Sequence, residues 1–196
     1  TQRSIVFAPI QYGGCGFSPL YLIQGEGQIL QFLTHWRTHT TASKLLRIAV
    51  SWVQLHLGTS RCFLEDTKTT LPPFPGRWLK SLLQFLLRID VILQVDDFFL
   101  PPTQGANDTY VMDLVIASNH FTAKEICTIN YCRMHLQVIT VADLSLADGV
   151  SLDPALLAGI PSPSSSISKW IHINQPRPSE PCWRLWRRAC SLWSCN

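Results

Sequence analysis

The sequence predicts a mainly α, helical bundle-like fold, with room for two small subdomains and one or two short strands. Composition is the first reason: 46% of the 196 residues are hydrophobic and 15% are charged. Such a chain can pack a core, and this excludes a disordered, collagen-like or coiled-coil protein. Spacing is the second reason, because apolar residues recur every three or four positions in several segments. Clusters of proline and glycine separate those segments.

The first half of the chain contains three predicted helices. The first two form a hairpin, in which Thr40 or Thr41 caps the second helix and Gly58 ends it. The breaker cluster 72–76 precedes the third helix. The segment Ile89–Val95 is either the end of that helix or a short strand. The three predicted helices are Leu22–Trp36, Thr41–Gly58 and Trp78–Ile89.

The second half begins after a proline-rich loop, with a boundary near residue 103. Thr122 and Glu125 have the spacing of a capping box, and a short strand is predicted at Trp170–Asn174. The predicted helices are Thr109–Ser118, Thr122–Thr140, Asp153–Leu157 and Trp183–Trp193. A linker rich in proline and serine is predicted at Gly159–Ser168. The resulting division is 1–103, 104–160 and 161–196, the last being the linker with the C-terminal aromatic-basic helix.

Charge is distributed unevenly, although the net charge is only +3. Residues 1–61 carry five basic residues and one acidic residue, whereas residues 89–123 carry five acidic residues and no basic one. Basic residues interleaved with aromatic ones can hold phosphates and stack on bases. The alternative is an ordinary amphipathic helix with arginines on its solvated face. The candidate nucleic-acid-binding residues are Arg37, Lys44, Arg47, Arg184, Arg187 and Arg188.

Motifs for catalysis are weak. Asp96-Asp97 resembles the carboxylate pair of polymerases, but Gln94 stands where those enzymes have an aromatic residue, so a solvated loop is the better interpretation. The glycines of 13–16 lack the lysine of a phosphate loop and predict a turn. No nucleophile elbow is present. We therefore predict no catalytic residue.

Metal ligands are equally poorly supported. His35 and His39 would share a helix face, yet no third ligand is evident. Cys127 with Cys132, and Cys190 with Cys195, have the widest spacing of a zinc pair, but buried free thiols are the simpler interpretation. We predict no metal. Reduced thiols, the absence of a signal-like start and the absence of a spanning segment predict an intracellular protein of nucleus or cytoplasm, neither secreted nor membrane-bound.

The run from Ala8 to Tyr21, APIQYGGCGFSPLY, resembles the "GGLG, then small-Pro-Leu" segment that follows the palm in non-LTR retrotransposon reverse transcriptases. Cys15 stands where that pattern has leucine. The continuation through His35-Trp36-Arg37 is similar to the helical, thumb-like region after the palm. So are Ile129–Arg133, Leu144–Gly149 and Trp183–Arg188.

The resemblance implies a region downstream of the polymerase active site, with 1–103 as the thumb-like part. The catalytic acids of an RNA-directed DNA polymerase are then missing, so no activity is expected from this chain alone. No cofactor is expected either, since magnesium would belong to the palm. Arg37, Lys44 and Arg47 would contact template–primer phosphates, and the partners would be RNA or DNA and the upstream palm. The alternative is an independent helical interaction or scaffold domain, or a decayed retroelement product without activity.

Overall fold

Helices dominate the computed structural model, which describes residues 3–66, 71–149, 151–161 and 176–193. The prediction of a mainly α, bundle-like fold is confirmed. Within the described ranges, the regular structure outside the α-helices is two 3-10 helices, Ile10–Tyr12 and Ala142–Leu144, and the isolated bridges Tyr110–Thr140 and Ser145–Leu152. The α-helices of these ranges are α1 (Arg3–Phe7), α2 (Leu20–Arg37), α3 (Thr41–Leu57), α4 (Arg77–Ile89), α5 (Val111–Ala117), α6 (Ala123–Leu136), α7 (Pro154–Leu157) and α8 (Glu180–Ser191).

Side chains fix where the central helices begin. Thr40 Oγ1 accepts a hydrogen bond from the backbone N–H of Ser43 at 3.2 Å and caps α3. At α6 the capping box is complete: the Glu125 carboxylate accepts from the Thr122 N–H at 2.8 Å, and the Thr122 hydroxyl accepts from the Glu125 N–H at 3.4 Å. These bonds satisfy amide groups that have no partner inside the helix. Both predicted caps are confirmed.

Helices α2, α3 and α4 surround the first of two hydrophobic clusters. α2 is antiparallel to α4, because Phe32 lies beside Trp78 while Tyr21, about three turns earlier, lies beside Phe85. The close approach requires a glycine: a Cβ at Gly25 would lie 2.2 Å from the Phe85 ring. The buried members of the first cluster are Phe32, Val50, Val53, Leu57, Cys62, Phe63, Leu64, Leu79, Leu82, Leu83, Leu86, Leu93 and Val95.

The second cluster is built from α5 to α8. Trp186 of α8 is completely buried there, and its indole N–H donates to the carbonyl of Leu156 at 3.3 Å. The buried members are Val111, Met112, Val115, Phe121, Ile126, Ile129, Cys132, Leu136, Val138, Leu144, Leu156, Trp183, Trp186, Ala189 and Cys190. α8 therefore contributes an apolar face and leaves its arginine face outside.

A buried arginine joins the two clusters. Arg133 of α6 has no exposed surface, and its guanidinium donates to the carbonyls of Leu55 and His56 at the end of α3, at 2.9 and 2.8 Å. It also donates to the Val138 carbonyl at 3.0 Å and to the Asn130 side chain at 2.8 Å. Burial lowers the pKa of Arg133 to about 9, and Asp143 opposes the shift, so the group is charged at neutral pH.

The structure corrects the end of one predicted helix. The helix expected to reach Thr140 ends at Leu136, because Gln137 adopts a left-handed conformation (φ 60°). Its N–H closes the last turn on the Arg133 carbonyl, and Thr140 instead forms a bridge with Tyr110. A glycine usually marks such an end, and the sequence has none there.

Other predictions have mixed outcomes. Neither alternative describes the segment Ile89–Val95, since α4 ends at Ile89 and 91–96 has no regular structure. The strand predicted at Trp170–Asn174 lies outside the described residues, as does most of the 159–168 linker. The division of the chain at residues 103 and 160 stays a prediction. In the ranges that the structure covers, no helix is both long and apolar enough to cross a membrane.

Candidate nucleic-acid interface

The turn between α2 and α3 carries three of the six predicted binding residues. It is held by side chains: Thr38 Oγ1 donates to the His35 carbonyl at 3.2 Å, and Ser43 Oγ donates to the Thr38 carbonyl at 2.6 Å. α2 ends at Arg37 and Thr38 is extended. His39 therefore lies in the turn, and the expectation that it shares a helix face with His35 is wrong.

Arg37 and Lys44 are exposed on either side of this turn. Neither has an acidic partner among the residues that the structure describes. The reason lies in the sequence: no Asp or Glu occurs between Gly27 and Leu64. Their charges are therefore available to an external anion.

Arg47 has a different position. It is half-buried, and its Nη2 donates to the Trp36 carbonyl at 2.8 Å, so it satisfies a free carbonyl at the end of α2. Its guanidinium also lies over the Trp36 ring, 4.6 Å from the ring centroid. The side chain thus ties α3 to α2, and part of its role is structural.

The three arginines of α8 form a separate group on the second cluster. Arg187 forms an ion pair with Glu180. Arg188 lies 3.6 Å from Glu125 and over the Phe121 ring, 5.3 Å from its centroid. Arg184 is exposed without an acidic partner in the described ranges. Two of the three charges are thus internally paired, as in the amphipathic-helix interpretation.

Three stacked rings, which the sequence pattern does not predict, lie near the α2–α3 turn. Phe32 stacks on Trp36 with centroids 5.4 Å apart and planes 8° apart, and on Trp78 of α4 at 6.5 Å and 16°. Phe32 is 1% exposed, whereas both tryptophans are partly exposed. The four-residue spacing of Phe32 and Trp36 was readable, but the pairing with Trp78 depends on the tertiary contact between α2 and α4.

Catalytic geometry is not assembled around Asp96 and Asp97. Both are exposed in a loop, and Glu65, an acidic residue upstream of them, uses its carboxylate to accept from the Val95 N–H at 2.9 Å. Gly13 ends a 3-10 turn in a left-handed conformation (φ 78°), as the turn interpretation of the glycine run expects.

The cysteines and the other residues that could bind a metal are likewise not assembled into a site in the part of the chain that the structure describes. No group of three or more His, Cys, Asp or Glu side chains in the described ranges is placed to hold a metal ion. Cys132 and Cys190 are buried, and burial raises the pKa of Cys132 to about 12. Cys195 lies outside the described residues.

Comparison with known proteins gave no relative. The sequence matches no family model and no curated protein, and the fold matches no solved structure.

Proposed function

We propose that this chain is a non-catalytic module that grips nucleic acid through phosphate contacts at the α2–α3 turn, within a reverse-transcriptase-like protein of retroelement origin. The observation that carries the proposal is the acid-free segment from Gly27 to Leu64, with Arg37 and Lys44 exposed at its turn. A cationic surface without nearby carboxylates attracts a polyanion and neutralises its phosphates. Catalysis and its magnesium would reside in the upstream palm.

Salt dependence of binding tests this proposal. Affinity for a short RNA–DNA duplex, measured by fluorescence anisotropy, should fall steeply as salt rises, because bound phosphates release their counterions. In the double variant Arg37→Ala/Lys44→Ala, the slope of log affinity against log salt should decrease by about 0.7 to 0.9 for each lost contact. Lys124→Ala, which removes one exposed charge from α6, is the control for loss of a charge away from the turn. Equal slopes in the double variant and the unchanged protein would refute the proposal.

The alternative function, protein binding, is favoured by one surface. Leu45, Ile48 and Trp52 follow each other along one face of α3 and are 62%, 65% and 41% exposed. Such a contiguous apolar stripe is typical of an interaction site, and in the proposed parent protein the palm would be its partner. Binding through this stripe should change little with salt and should be lost in Ile48→Lys.

A further inference from the structure

Four planar groups are stacked at one end of the first cluster. Their order is the Arg47 guanidinium, the Trp36 indole, the Phe32 ring and the Trp78 indole. Trp36 is in contact with both Arg47 and Phe32. Trp78, at the other end of this series, stacks on Phe32, and no other ring or cation of the described residues stacks on it. Trp78 is partly exposed, so part of its indole is open to a further planar group.

The start of α4, where Trp78 lies, carries a basic side chain. Arg77 precedes Trp78 in sequence and is exposed, and α4 contains no acidic residue. Because α2 is antiparallel to both α3 and α4, the start of α4 lies at the same end of the bundle as Arg37 and Lys44. A Cβ at Gly76 would meet no atom within 4 Å, so the backbone before Trp78 is accessible.

We propose that this end of the bundle binds an unpaired nucleotide, whose base stacks on the outer face of Trp78 while Arg77, Arg37 and Lys44 hold the flanking phosphates. An indole offers a flat face to any base, and arginines beside it neutralise the backbone, which is the combination used by proteins that bind single strands without sequence preference. The inference rests on the proposed function and deepens it. In the proposed function the turn contacts only phosphates of a duplex, whereas here the same end of the bundle also binds a single-stranded segment.

Removing bases from the ligand tests the stacking step without altering the protein. The probes are a labelled DNA single strand of about ten nucleotides, within the site sizes of such proteins, and the same strand with abasic sites and identical phosphates. We expect the abasic strand to bind on the order of tenfold more weakly. In Trp78→Leu the two strands should bind equally, whereas Trp52→Leu, an exposed tryptophan near the other end of α3, should retain the difference.

The outcomes separate the two proposals. Equal binding of the normal and the abasic strand by the unchanged protein, with a steep salt dependence, would overturn stacking and leave the phosphate grip intact. Absence of binding to either strand and to duplex would overturn both. If Trp78→Leu fails to fold, as judged by circular dichroism, the comparison of the two strands on the unchanged protein still decides whether a base stacks, and loss of the difference in Trp52→Leu would overturn its assignment to Trp78.

Discussion

The two hydrophobic clusters differ in how completely they cover their own surfaces. Among the described residues, 16 of the 18 large hydrophobic side chains that are well exposed precede residue 100. Charges differ in the same way: α2, α3 and α4 contain one acidic residue, Glu26, whereas α8 pairs Arg187 with Glu180 and Arg188 with Glu125 of α6. The second cluster thus covers most of its apolar side chains and pairs two of the three arginines of α8, whereas the first leaves both apolar and basic side chains exposed.

The proposed function would account for this difference. Exposed apolar residues cost solubility, and unpaired like charges repel each other, so a folded region with both is typically completed by something external. A basic turn and an apolar stripe on α3 fit two different occupants, a polyanion and a protein surface. The second cluster then serves as a support, joined to the first through Arg133.

The largest effect is expected from replacing this joining residue. Arg133→Met removes the guanidinium that donates hydrogen bonds to the carbonyls of Leu55, His56 and Val138. Of these three, only the His56 carbonyl still accepts a hydrogen bond from another described side chain, the Asn130 amide at 2.9 Å. Buried carbonyls without a donor should lower the free energy of unfolding by about 2 to 4 kcal/mol. Urea denaturation followed by circular dichroism measures this.

The exposed Arg184 of α8 supplies the control for that variant. Arg184→Met should change the free energy of unfolding by less than about 0.5 kcal/mol. A similar small change in Arg133→Met would show that the two clusters do not depend on the guanidinium. The hydrogen bonds from Arg133 to α3 would then not be what holds the first cluster to the second.

Two glycines of α2 sharpen the description of the first cluster. Gly25→Ala should destabilise the protein by about 1 to 3 kcal/mol, because the added Cβ would overlap the Phe85 ring and push α4 away. At Gly27 a Cβ meets nothing within 4 Å, so Gly27→Ala should stabilise the helix by about 0.5 to 1 kcal/mol. If α2 packs on α4 as described, thermal or urea unfolding should show a lower free energy of unfolding for Gly25→Ala and a higher one for Gly27→Ala. A change of the same sign in both variants would contradict that packing.

Sequence alone predicted much of this molecule where the signals are local. The α2–α3 hairpin, the Thr40 cap and the capping box at Thr122 follow from spacing and capping residues within a few positions. The exposed Arg37 and Lys44 follow from the same pattern. The features that could not be predicted depend on tertiary contacts or on a backbone conformation that no residue type signals. Gln137, for example, ends α6 in a left-handed conformation where a glycine would be expected.

Prediction of the candidate nucleic-acid interface is limited in the same way, by contacts between residues far apart in sequence. An arginine in a helix is normally assigned to the solvated face, so nothing local identifies Arg133 as a buried donor to another helix. The Phe32–Trp78 contact requires knowing that α2 and α4 are antiparallel neighbours. His39 lies outside α2 because side-chain hydrogen bonds from Thr38 and Ser43 close the turn after Arg37.

The smallest expected effect is a pH dependence at the contact between the clusters. His56 is partly buried, its ring meets the edge of Trp52 at 4.5 Å, and its Nε2 is buried without a hydrogen-bond partner in the described structure. Burial, and secondarily the charge of Arg133, lower the pKa of His56 below 6.5. The unfolded chain therefore binds this proton more readily than the folded protein, so the free energy of unfolding should fall as pH drops below 6.5.

Urea denaturation across this pH range in His56→Gln measures the contribution, with the exposed His39→Gln as the matched control. The slope of stability against pH should become shallower in His56→Gln than in His39→Gln. It should not vanish, because burial also lowers the pKa of His135 in the second cluster, with Arg177 adding to the shift. An unaltered slope in His56→Gln would mean that water reaches the ring, and the contact between α3 and α6 would then be looser than the hydrogen bonds of Arg133 indicate.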